Sequence, residues 1–371
     1  MQINENTTKN SIIDSREEIA KLDLENMMSS IEELGNQINH SWNDTKSIEF
    51  TPTAEIRNVI ISGMGGSGLG ADVIKHLFKD ELKVPLDFVN DYTLPGFVNE
   101  NTLVVLSSYS GTTEEVVACA EQAKQKNAQI MVIAAGGTLE EIANENHYAF
   151  YKINPKFNPS NQPRMAIGYA VFGMIGLLSK AGVISVTDQQ IEAVIDTINK
   201  QIEECKVEVL GEENPAKTLA FMLLDRRPVF VVSDFLEGVA HVSANQHNEN
   251  AKAFVDYKVV PEMDHHLLEG LRYPNSNASN HIFIFVQSML YHPKNIIRMQ
   301  LTQKIVDDNE IDTLAIPIKA QTKIEQVFEM LTLFGFTGFY LAMLEGINPS
   351  PIPFVESFKI DLKKMTQGIE I

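Results

Sequence analysis

The chain has 371 residues and a formal net charge of −19 at pH 7. This length favours two domains, or one large one, and a hydrophobic content of 44% is enough to build a buried core. Nucleic acids and anionic membrane surfaces do not attract so acidic a protein, so we expect neither as a partner. Any site for an anionic ligand must be local, built from helix ends, hydroxyl groups and a few basic side chains.

The cysteines and the first residues of the chain further restrict the class of protein that we expect. Cys119 and Cys205 stand in different segments without metal-binding or redox spacing, and Cys119 falls in a predicted helix as a core thiol. The first ten residues are polar, which argues against a signal peptide, and we find no apolar run of the ~20 residues that span a bilayer. We expect a cytoplasmic enzyme or sensor in which residues 1–14 are disordered.

The first predicted strand runs into a glycine-rich segment. Apolar residues at helical spacing between Ser15 and Ile38 predict one or two helices, and residues 57–62 (RNVIIS) have the pattern of a buried strand. The segment GMGGSGLG at 63–70 follows and leads to a helix predicted at 71–79. It matches the G-x-G-x-x-G fingerprint of dinucleotide-binding folds, but Ser67 and the hydroxyl groups described next favour a sugar phosphate over NAD.

A hydroxyl-rich turn joins the next strand to its helix. Residues 103–115 (LVVLSSYSGTTEE) contain a strand, five Ser and Thr residues around Gly111, and a helix that starts at Glu114. The free N–H groups and the dipole at a helix N-terminus bind anions, and Gly111 lets the backbone come close. The alternative is a capping box formed by Thr112 and Glu115. The two interpretations can coexist, because other hydroxyl groups are left over.

The order of the predicted elements indicates an α/β fold. Five strand-like segments alternate with helical ones between residues 57 and 153, which predicts a parallel, doubly wound sheet with ligands at the carboxyl ends of its strands. Four more follow between residues 228 and 317, after a charged amphipathic helix at 184–205. We therefore predict two domains, residues 15–183 and 184–371, each a mainly parallel sheet flanked by helices.

Arg164 is the first candidate for a chemical role. It follows a loop rich in Pro and Asn (154–163) and precedes an apolar helix predicted at 165–178. A cation at a helix start opposes the helix dipole, so it needs a partner. A phosphate, a negatively charged intermediate or an ordinary salt bridge would each supply one, and the sequence leaves these alternatives open.

A carboxylate and an imidazole are the next candidates. The segment NENAK at 248–252 places Glu249 among amides, and His265 follows sixteen residues later. These groups suit proton abstraction next to a carbonyl, with Glu249 as the base and the histidine handling a hydroxyl proton. A surface glutamate and a turn histidine are the alternatives. A metal site that includes His241 and His247 is disfavoured, because no i,i+4 pair of histidines is present there.

Six segments, taken together, resemble one known family. They are GMGGSG at 63–68, SYSGTTEE at 108–115, QPR at 162–164, NENAK at 248–252, PEMDHH at 261–266 and YLAMLEGINPSPIPFVESFK at 340–359. Their order resembles that in the bifunctional phosphoglucose/phosphomannose isomerases, which are built from two sugar-isomerase (SIS) domains. SYSGTTEE is typical of SIS domains in general, and NENAK followed by PEMDH points to this branch.

The resemblance implies an aldose–ketose isomerase that interconverts glucose 6-phosphate or mannose 6-phosphate with fructose 6-phosphate. The reaction would pass through a cis-enediolate, with no cofactor and no metal. The phosphate would be held by five residues of the two turns, namely Gly66, Ser67, Ser108, Ser110 and Thr113. The family is usually homodimeric, and the residue that matches His265 reaches across the subunit interface.

The resemblance also assigns the chemistry to particular side chains. Glu249 would move the proton between C1 and C2, and Arg164 would stabilise the enediolate. His265 would assist ring opening, shared with Lys359 of the last predicted helix. Ser350 lies where a small hydroxyl residue of the family contacts the sugar near C2 and helps to admit both epimers.

The chain departs from the family pattern at three places. Val242, Ser243 and Ala244 stand where the family carries Arg-Trp-Lys, which removes basic residues near the sugar. The family's His-Asn-Glu is replaced by residues 265–267 (HHL), which removes a carboxylate near the proposed acid, and Asp264 replaces an Asn. The proton shuttle is retained, but the preference between the two sugars is left open.

Two other functions remain as alternatives. A non-catalytic SIS sensor of sugar phosphates would need the hydroxyl turns but not Glu249, His265 and Arg164 together, and it usually carries a basic DNA-binding segment that we do not find here. An isomerase or deaminase of another phosphosugar, such as an aminosugar, would keep the fold and the phosphate site. It would change only the pocket around C2.

Overall fold

The computed structural model describes residues 12–366, and its first elements are three helices. They are α1 (Arg16–Ala20), α2 (Met27–Glu32) and α3 (Leu34–Lys46), where the sequence predicted one or two. Residues 1–11 of the segment predicted to be disordered lie outside the described residues. Ile13 is buried and the Asp14 carboxylate lies 2.7 Å from Lys217 Nζ, so the packed chain begins before Ser15.

The first sheet has five parallel strands in the order β2-β1-β3-β4-β5. Its central strands are buried on both faces, as the near-continuous apolar run at 103–106 predicts. Helices cover both faces. The elements are β1 (Asn58–Gly63), α4 (Gly65–Leu77), β2 (Leu86–Val89), β3 (Thr102–Ser107), α5 (Glu114–Gln125), β4 (Gln129–Ala134), α6 (Gly137–Asn146), β5 (Ala149–Lys152) and α7 (Ile167–Lys180).

The second sheet has four parallel strands in the order β7-β6-β8-β9. The predicted α/β fold with two mainly parallel sheets is therefore confirmed. The elements are α8 (Asp188–Cys205), α9 (Pro215–Leu223), β6 (Arg227–Ser233), α10 (Glu237–Gln246), β7 (Asp256–Val260), α11 (Asn277–Asn280), β8 (His281–Gln287), α12 (Pro293–Asp308), β9 (Asp312–Pro317), α13 (Lys323–Leu344) and α14 (Pro353–Met365).

A single hydrophobic cluster joins the two halves of the chain. It extends from Ile13 to Leu344 and takes in residues from both sheets, while the outer layer of the first sheet forms a smaller cluster around Cys119, a buried thiol as predicted. The long helices carry strong start signals: α8 and α13 both begin with capping boxes, at Thr187 and Thr322. Sequential domains are thus interlocked through a common core.

Helix α13 lies at the centre of this core. It is long and apolar enough to cross a membrane by length and composition, a property that the sequence analysis missed. The 18-residue window concerned is 94% buried inside the protein. Tyr340 on this helix donates a hydrogen bond to the carbonyl of Cys205 at 2.7 Å, which ties α13 to the end of α8. Its burial is that of the core helix of a globular protein.

Helix α4 begins six residues earlier than predicted, at Gly65 instead of Ala71. Glycine disfavours helix by about 1 kcal/mol relative to alanine, which is why the glycine run was predicted as a turn. Close packing explains its presence: a side chain at Gly68 would place its Cβ 2.6 Å from the carbonyl oxygen of Gly63. The glycines therefore let the helix start directly against the end of β1.

We expect Gly176→Ala to lower the free energy of unfolding. Helix α7 packs closely on α3, and a methyl group at Gly176 would overlap the side chain of Thr45, 2.8 Å from its Cγ2. Overpacking costs about 1–3 kcal/mol, which exceeds the gain of roughly 1 kcal/mol in helix propensity. Urea denaturation measures the change. Gly96→Ala is the control, because nothing lies within 4 Å of its added Cβ, and equal losses at both positions would contradict this account.

Candidate active site

The strand order of the first sheet reverses between β1 and β3. In open α/β sheets, ligands bind at such a switch point, outside the carboxyl ends of the strands. Helix α4 starts after β1 and α5 starts after β3, and neither N-cap residue, Met64 or Thr113, makes a side-chain capping bond within the described chain. The N–H groups of two helix N-termini are therefore available at one place, which favours an anion.

The predicted hydroxyl residues meet at this switch point. Ser108 Oγ lies 2.7 Å from Thr113 Oγ1 and 3.5 Å from Ser110 Oγ. Ser67, at the start of α4, accepts a hydrogen bond from the backbone N–H of Tyr109 at 2.9 Å. The two turns, from different parts of the sequence, are thereby joined. The structure brings these four residues together, and their role in binding phosphate stays a prediction.

The capping box predicted at Thr112 and Glu115 is wrong. Helix α5 starts at Glu114 with Thr113 in the N-cap position, and the Thr112 hydroxyl donates to Ser110 Oγ at 3.1 Å. The reason is the left-handed conformation of Gly111 (φ 71°), where a side chain would overlap the carbonyl of Gly136. This tight turn directs the hydroxyl groups toward one another, which leaves the helix N-terminus open.

The second sheet has an equivalent switch point between β6 and β8, but its groups are already engaged. Ser233 donates to the carbonyl of Val260 at 2.7 Å and accepts a hydrogen bond from Asn295 at 2.9 Å. Asp234 follows directly and forms an ion pair with Lys79 of the first domain. The polar groups at this switch point are therefore less available to a ligand than those of the first sheet.

Arg164 connects the switch point to the candidate base. It lies in a 3₁₀ turn (Pro163–Met165) against Gly66, and only 3% of it is exposed. Its Nε donates to Asn250 Oδ1 at 2.5 Å, and its Nη1 lies 3.4 Å from Glu249 Oε2. Burial lowers the pKa of the Arg164 guanidinium, while the Glu249 carboxylate acts in the opposite direction. An ion pair is thus the partner that the sequence required, and it joins two predicted catalytic residues.

The Nη2 group of Arg164 bonds the loop that precedes α14, the last helix. Arg164 Nη2 donates to the carbonyl oxygens of Pro349 and Ser350, at 3.0 and 2.7 Å. The Ser350 hydroxyl is buried and has no hydrogen-bond partner among the described residues. A buried hydroxyl without a partner is costly, so this group needs a hydrogen bond that the described residues do not supply. Its contact with the sugar stays a prediction.

Glu249 lies on a π-helical turn (His247–Ala251) that follows directly on the last residue of α10. Such single wide turns occur often at functional sites. The side chain of Asn248 holds the turn from one side, because it accepts from Val255 N–H at 2.9 Å and donates to the Val255 carbonyl at 3.0 Å. About a third of the Glu249 side chain remains exposed, so it is accessible to a ligand.

Lys252 closes the turn from the other side, and the sequence analysis gave it no role. Its Nζ donates to the carbonyls of Glu249 and Pro349, at 2.6 and 2.9 Å. Burial, followed by the charge of Arg164, lowers the pKa of Lys252 to about 8. Asn250 was missed in the same way. The available signal was the NENAK motif itself, in which polar side chains stand on every side of Glu249.

Two predicted residues are not brought to this place. His265 is exposed in a 3₁₀ turn (Glu262–His265), and Lys359 is exposed on α14, a helix with no buried residue. Neither side chain makes a hydrogen bond or an ion pair within residues 12–366. Asp264 explains the conformation of the turn, because its carboxylate bonds Arg298 and Thr302 of α12. The catalytic roles of His265 and Lys359 stay predictions.

The departures from the family pattern have a structural explanation. Val242, Ser243 and Ala244 are buried in α10, and the Ser243 carbonyl accepts a hydrogen bond from His247 Nδ1 at 2.8 Å.

In the described part of the chain no group of three or more His, Cys, Asp and Glu side chains is arranged to hold a metal ion. His241, considered above as a ligand, instead bonds Asp72.

Comparison with known proteins agrees with this architecture. Residues 54–170 match the SIS domain model, and residues 212–362 match the model of the bacterial phospho-glucose isomerase C-terminal SIS domain. A solved structure, a hypothetical protein from Thermus thermophilus, superposes with a TM-score of 0.69 at 15% identity, covering 92% of this chain and 91% of that one. The molecule is thus a two-domain SIS protein. The exact domain boundary at 183/184 stays a prediction.

Curated relatives specify the branch. The chain is 30% identical over 342 residues to the bifunctional phosphoglucose/phosphomannose isomerase of Caldicellulosiruptor bescii, covering 91% of this chain and 99% of the relative. It is 26% identical to the enzyme of the same name from Aquifex aeolicus, covering 92% and 99%. The chain belongs to the bifunctional phosphoglucose/phosphomannose isomerase family.

We expect His247, the first residue of the π-turn, to make the fold acid-sensitive. It is fully buried against Phe230, and burial lowers its pKa to about 4. In the unfolded chain a histidine titrates near 6.5, so between these two values the unfolded state binds more protons and stability falls as the pH falls. The contribution is up to about 1.4 kcal/mol per pH unit in that window.

Urea denaturation of wild type and His247→Asn at several pH values between 7 and 4 measures this contribution. Asn keeps a donor near the Nδ1 position but does not titrate, so the dependence of the unfolding free energy on pH should become shallower. His147→Asn is the control, because His147 is exposed and has a φ of 56°, which Asn tolerates. An unchanged slope in His247→Asn would show that the buried imidazole does not resist protonation.

Proposed function

We propose that this protein interconverts glucose 6-phosphate and mannose 6-phosphate with fructose 6-phosphate by proton transfer through a cis-enediolate. One observation carries the proposal: a partly exposed carboxylate, Glu249, lies 3.4 Å from the buried guanidinium of Arg164, next to a switch point with two open helix N-termini. A sensor of sugar phosphates would need the open helix ends. It would not need a base paired with a buried cation.

The phosphate of the substrate binds at the hydroxyl turn. The N–H groups at the starts of α4 and α5, together with Ser67, Ser108, Ser110 and Thr113, provide hydrogen-bond donors without a nearby excess of cationic side chains. Helix N-termini supply partial positive charge that falls off within the first turn. This local arrangement is how a chain with a net charge of −19 can bind an anionic sugar.

The open-chain sugar then lies with C1 and C2 near Glu249. The carboxylate removes the proton from C2 of the aldose, and the electron pair moves into a C1–C2 double bond as the carbonyl oxygen at C1 takes up negative charge. Arg164 stabilises that charge, because a buried cation interacts more strongly than one in water. Glu249 returns the proton to C1, and the proton of the C2 hydroxyl passes to O1, so that O1 becomes a hydroxyl group as the ketone forms at C2.

One intermediate serves both aldoses. Glucose 6-phosphate and mannose 6-phosphate differ only in configuration at C2, and the planar enediolate has no configuration there. The site must therefore tolerate a hydroxyl group on either side of C2. Our candidate for the group that contacts this C2 hydroxyl is the side chain of Ser350, whose hydroxyl has no hydrogen-bond partner among the described residues. Arg164 holds Ser350 in place by bonding its backbone carbonyl. His265, with Lys359, is our candidate for ring opening.

We further propose a cytoplasmic homodimer that acts in glycolysis and gluconeogenesis without a cofactor. Helix α14 supports the dimer: it buries none of its residues, and Phe354 and Met365 are 89% and 82% exposed. Apolar surface of this kind marks protein contacts. His265 is exposed as well, which suits a side chain that completes the site of a partner subunit.

We expect Glu249→Gln to abolish turnover of both aldoses. Gln keeps the size and loses the base, so kcat should fall by about 10²–10⁴-fold. Fructose 6-phosphate formation and deuterium incorporation at C1 and C2 in D₂O are measured together, with glucose 6-phosphate and mannose 6-phosphate offered separately and without added metal. Glu121→Gln, an exposed carboxylate of α5, is the matched control and should leave both rates unchanged.

The same assay separates the alternatives. Binding of the sugar phosphates by wild type without turnover or exchange would contradict the isomerase and indicate a sensor. Release of ammonia from glucosamine 6-phosphate, with no exchange from either hexose phosphate, would indicate an aminosugar enzyme. Full activity in Glu249→Gln would exclude this carboxylate as the base.

Mixing two inactive variants tests the contribution of His265 to a partner's site. After joint denaturation and refolding, Glu249→Gln and His265→Ala should recover up to about a quarter of wild-type activity, because half of the dimers are mixed and each has one intact site. Each variant refolded alone is the control. Recovery absent from the mixture, with mixed dimers shown by mass spectrometry, would place both residues in the site of one subunit.

A further inference from the structure

Two helices carry the two halves of the site and pack against each other across the domain interface. Helix α4 begins at the phosphate turn with Gly66 and Ser67, and α10 ends where the π-turn with Glu249 begins. Gly238 of α10 faces the backbone of α4, where an added Cβ would lie 2.6 Å from Val73 Cα. The helices are therefore in backbone contact, and their relative position fixes the separation of phosphate and base.

A buried carboxylate bonds both helices at this contact. Asp72 of α4 is 4% exposed, and its Oδ2 lies 2.8 Å from His241 Nδ1 on α10. Its Oδ1 lies 3.1 Å from His76 Nδ1, and His76 Nε2 lies 3.3 Å from Glu237 Oε2 on α10. The histidines are directed toward carboxylates, and the ring of His241 also stacks on Tyr257 at 5.2 Å. This Asp72 cluster takes no part in the reaction described above.

The cluster favours the charged forms of Asp72 and His76, which attract each other. Burial acts to raise the pKa of Asp72, but hydrogen bonds from His241 and His76 outweigh it and hold that pKa well below its usual range. Burial acts to lower the pKa of His76, but its contacts with Asp72 and Glu237 raise that pKa above its ordinary value. Because Asp72 itself is buried, removing its partners would leave that carboxylate uncompensated, so the cluster resists sliding of the helices.

Geometry connects the cluster to the site. Asp72 follows Gly66 by six residues, which is about 9 Å along a helix, and His241 precedes Glu249 by eight residues, which is about 12 Å. A displacement of α4 along α10 therefore moves the phosphate turn relative to the base by the same amount. A shift of about 1 Å in a reacting group can cost about 100-fold in rate.

We propose that Asp72 is a positioning residue for the reaction. By bonding His76 and His241 it sets the axial register of α4 against α10, and so the distance between the phosphate site and Glu249. This inference rests on the proposed function. It differs from a general stabilising role, because the phosphate site is built within the first domain and should survive the loss of the register.

The first test separates phosphate binding from turnover. In Asp72→Asn we expect kcat to fall about tenfold or more, while KM and the inhibition constant of inorganic phosphate stay within about twofold. His241→Leu should have the same effect. His241→Asn should retain most of the activity, because its amide keeps a donor near the imidazole Nδ1. Asp80→Asn is the matched control, since it removes an exposed ion pair, with Lys323, between the same two domains.

The second test does not depend on turnover. Backbone amides of residues 247–251 should exchange with deuterium faster in Asp72→Asn and His241→Leu than in wild type and Asp80→Asn. If the wild-type protein has no isomerase activity, the proposed function is wrong. The exchange pattern would then still show whether Asp72 sets the register of α4 against α10. If kcat and the amide exchange rates of Asp72→Asn equal those of wild type, the inference is wrong. So would a weakening of phosphate inhibition as large as the loss in kcat, which would show a general loss of structure.

Discussion

The burial of one guanidinium constrains the whole site. Arg164 has five N–H donors and almost no access to water, so each must find an acceptor inside the protein. The acceptors come from both domains: the Gln162 side-chain amide in the first, and in the second an amide and a carboxylate on the π-turn and two carbonyls in the loop before α14. The first domain thereby fixes parts of the second. Without those acceptors the cation would not be stable there, and without the cation the turn and the loop, which Lys252 also joins, would lose this common bond to the first domain.

The two sheets share a topology but have different tasks. At the first switch point two helix N-termini are open, while at the second the polar groups bond one another and Asp234 is paired with a lysine of the first domain. The second domain instead contributes through the end of a helix, where the π-turn directs Glu249 back to the first. The same strand order therefore supports two open helix N-termini in one domain and a domain contact in the other, and the side chains at the strand ends decide between them.

The sequence predicts the parts of this molecule that depend on local pattern. The five strands predicted in the first half and the four in the second are all found, because buried parallel strands are continuous apolar runs. The start of α4 was missed, because glycine propensity is overridden by close packing on β1. The π-turn was missed because its wide spacing depends on contacts from elsewhere, such as Arg164. The pairing of Glu249 with Arg164 joins residues 85 apart, and the Asp72 cluster joins segments about 170 apart, so local reasoning finds the residue types but not the contacts.

The interlocked core has a consequence for how the chain can be divided. Helices α1–α3 come first in the sequence, yet α2 packs on α13 near the end of the chain, and α8 lies between α3 and α13. A cut between the two sheets would leave α13, buried almost throughout, with its apolar surface in water on one fragment. The two SIS units are therefore distinct in topology, but they do not fold independently of each other. They should melt together in one cooperative transition, and neither can be transplanted as an independent part.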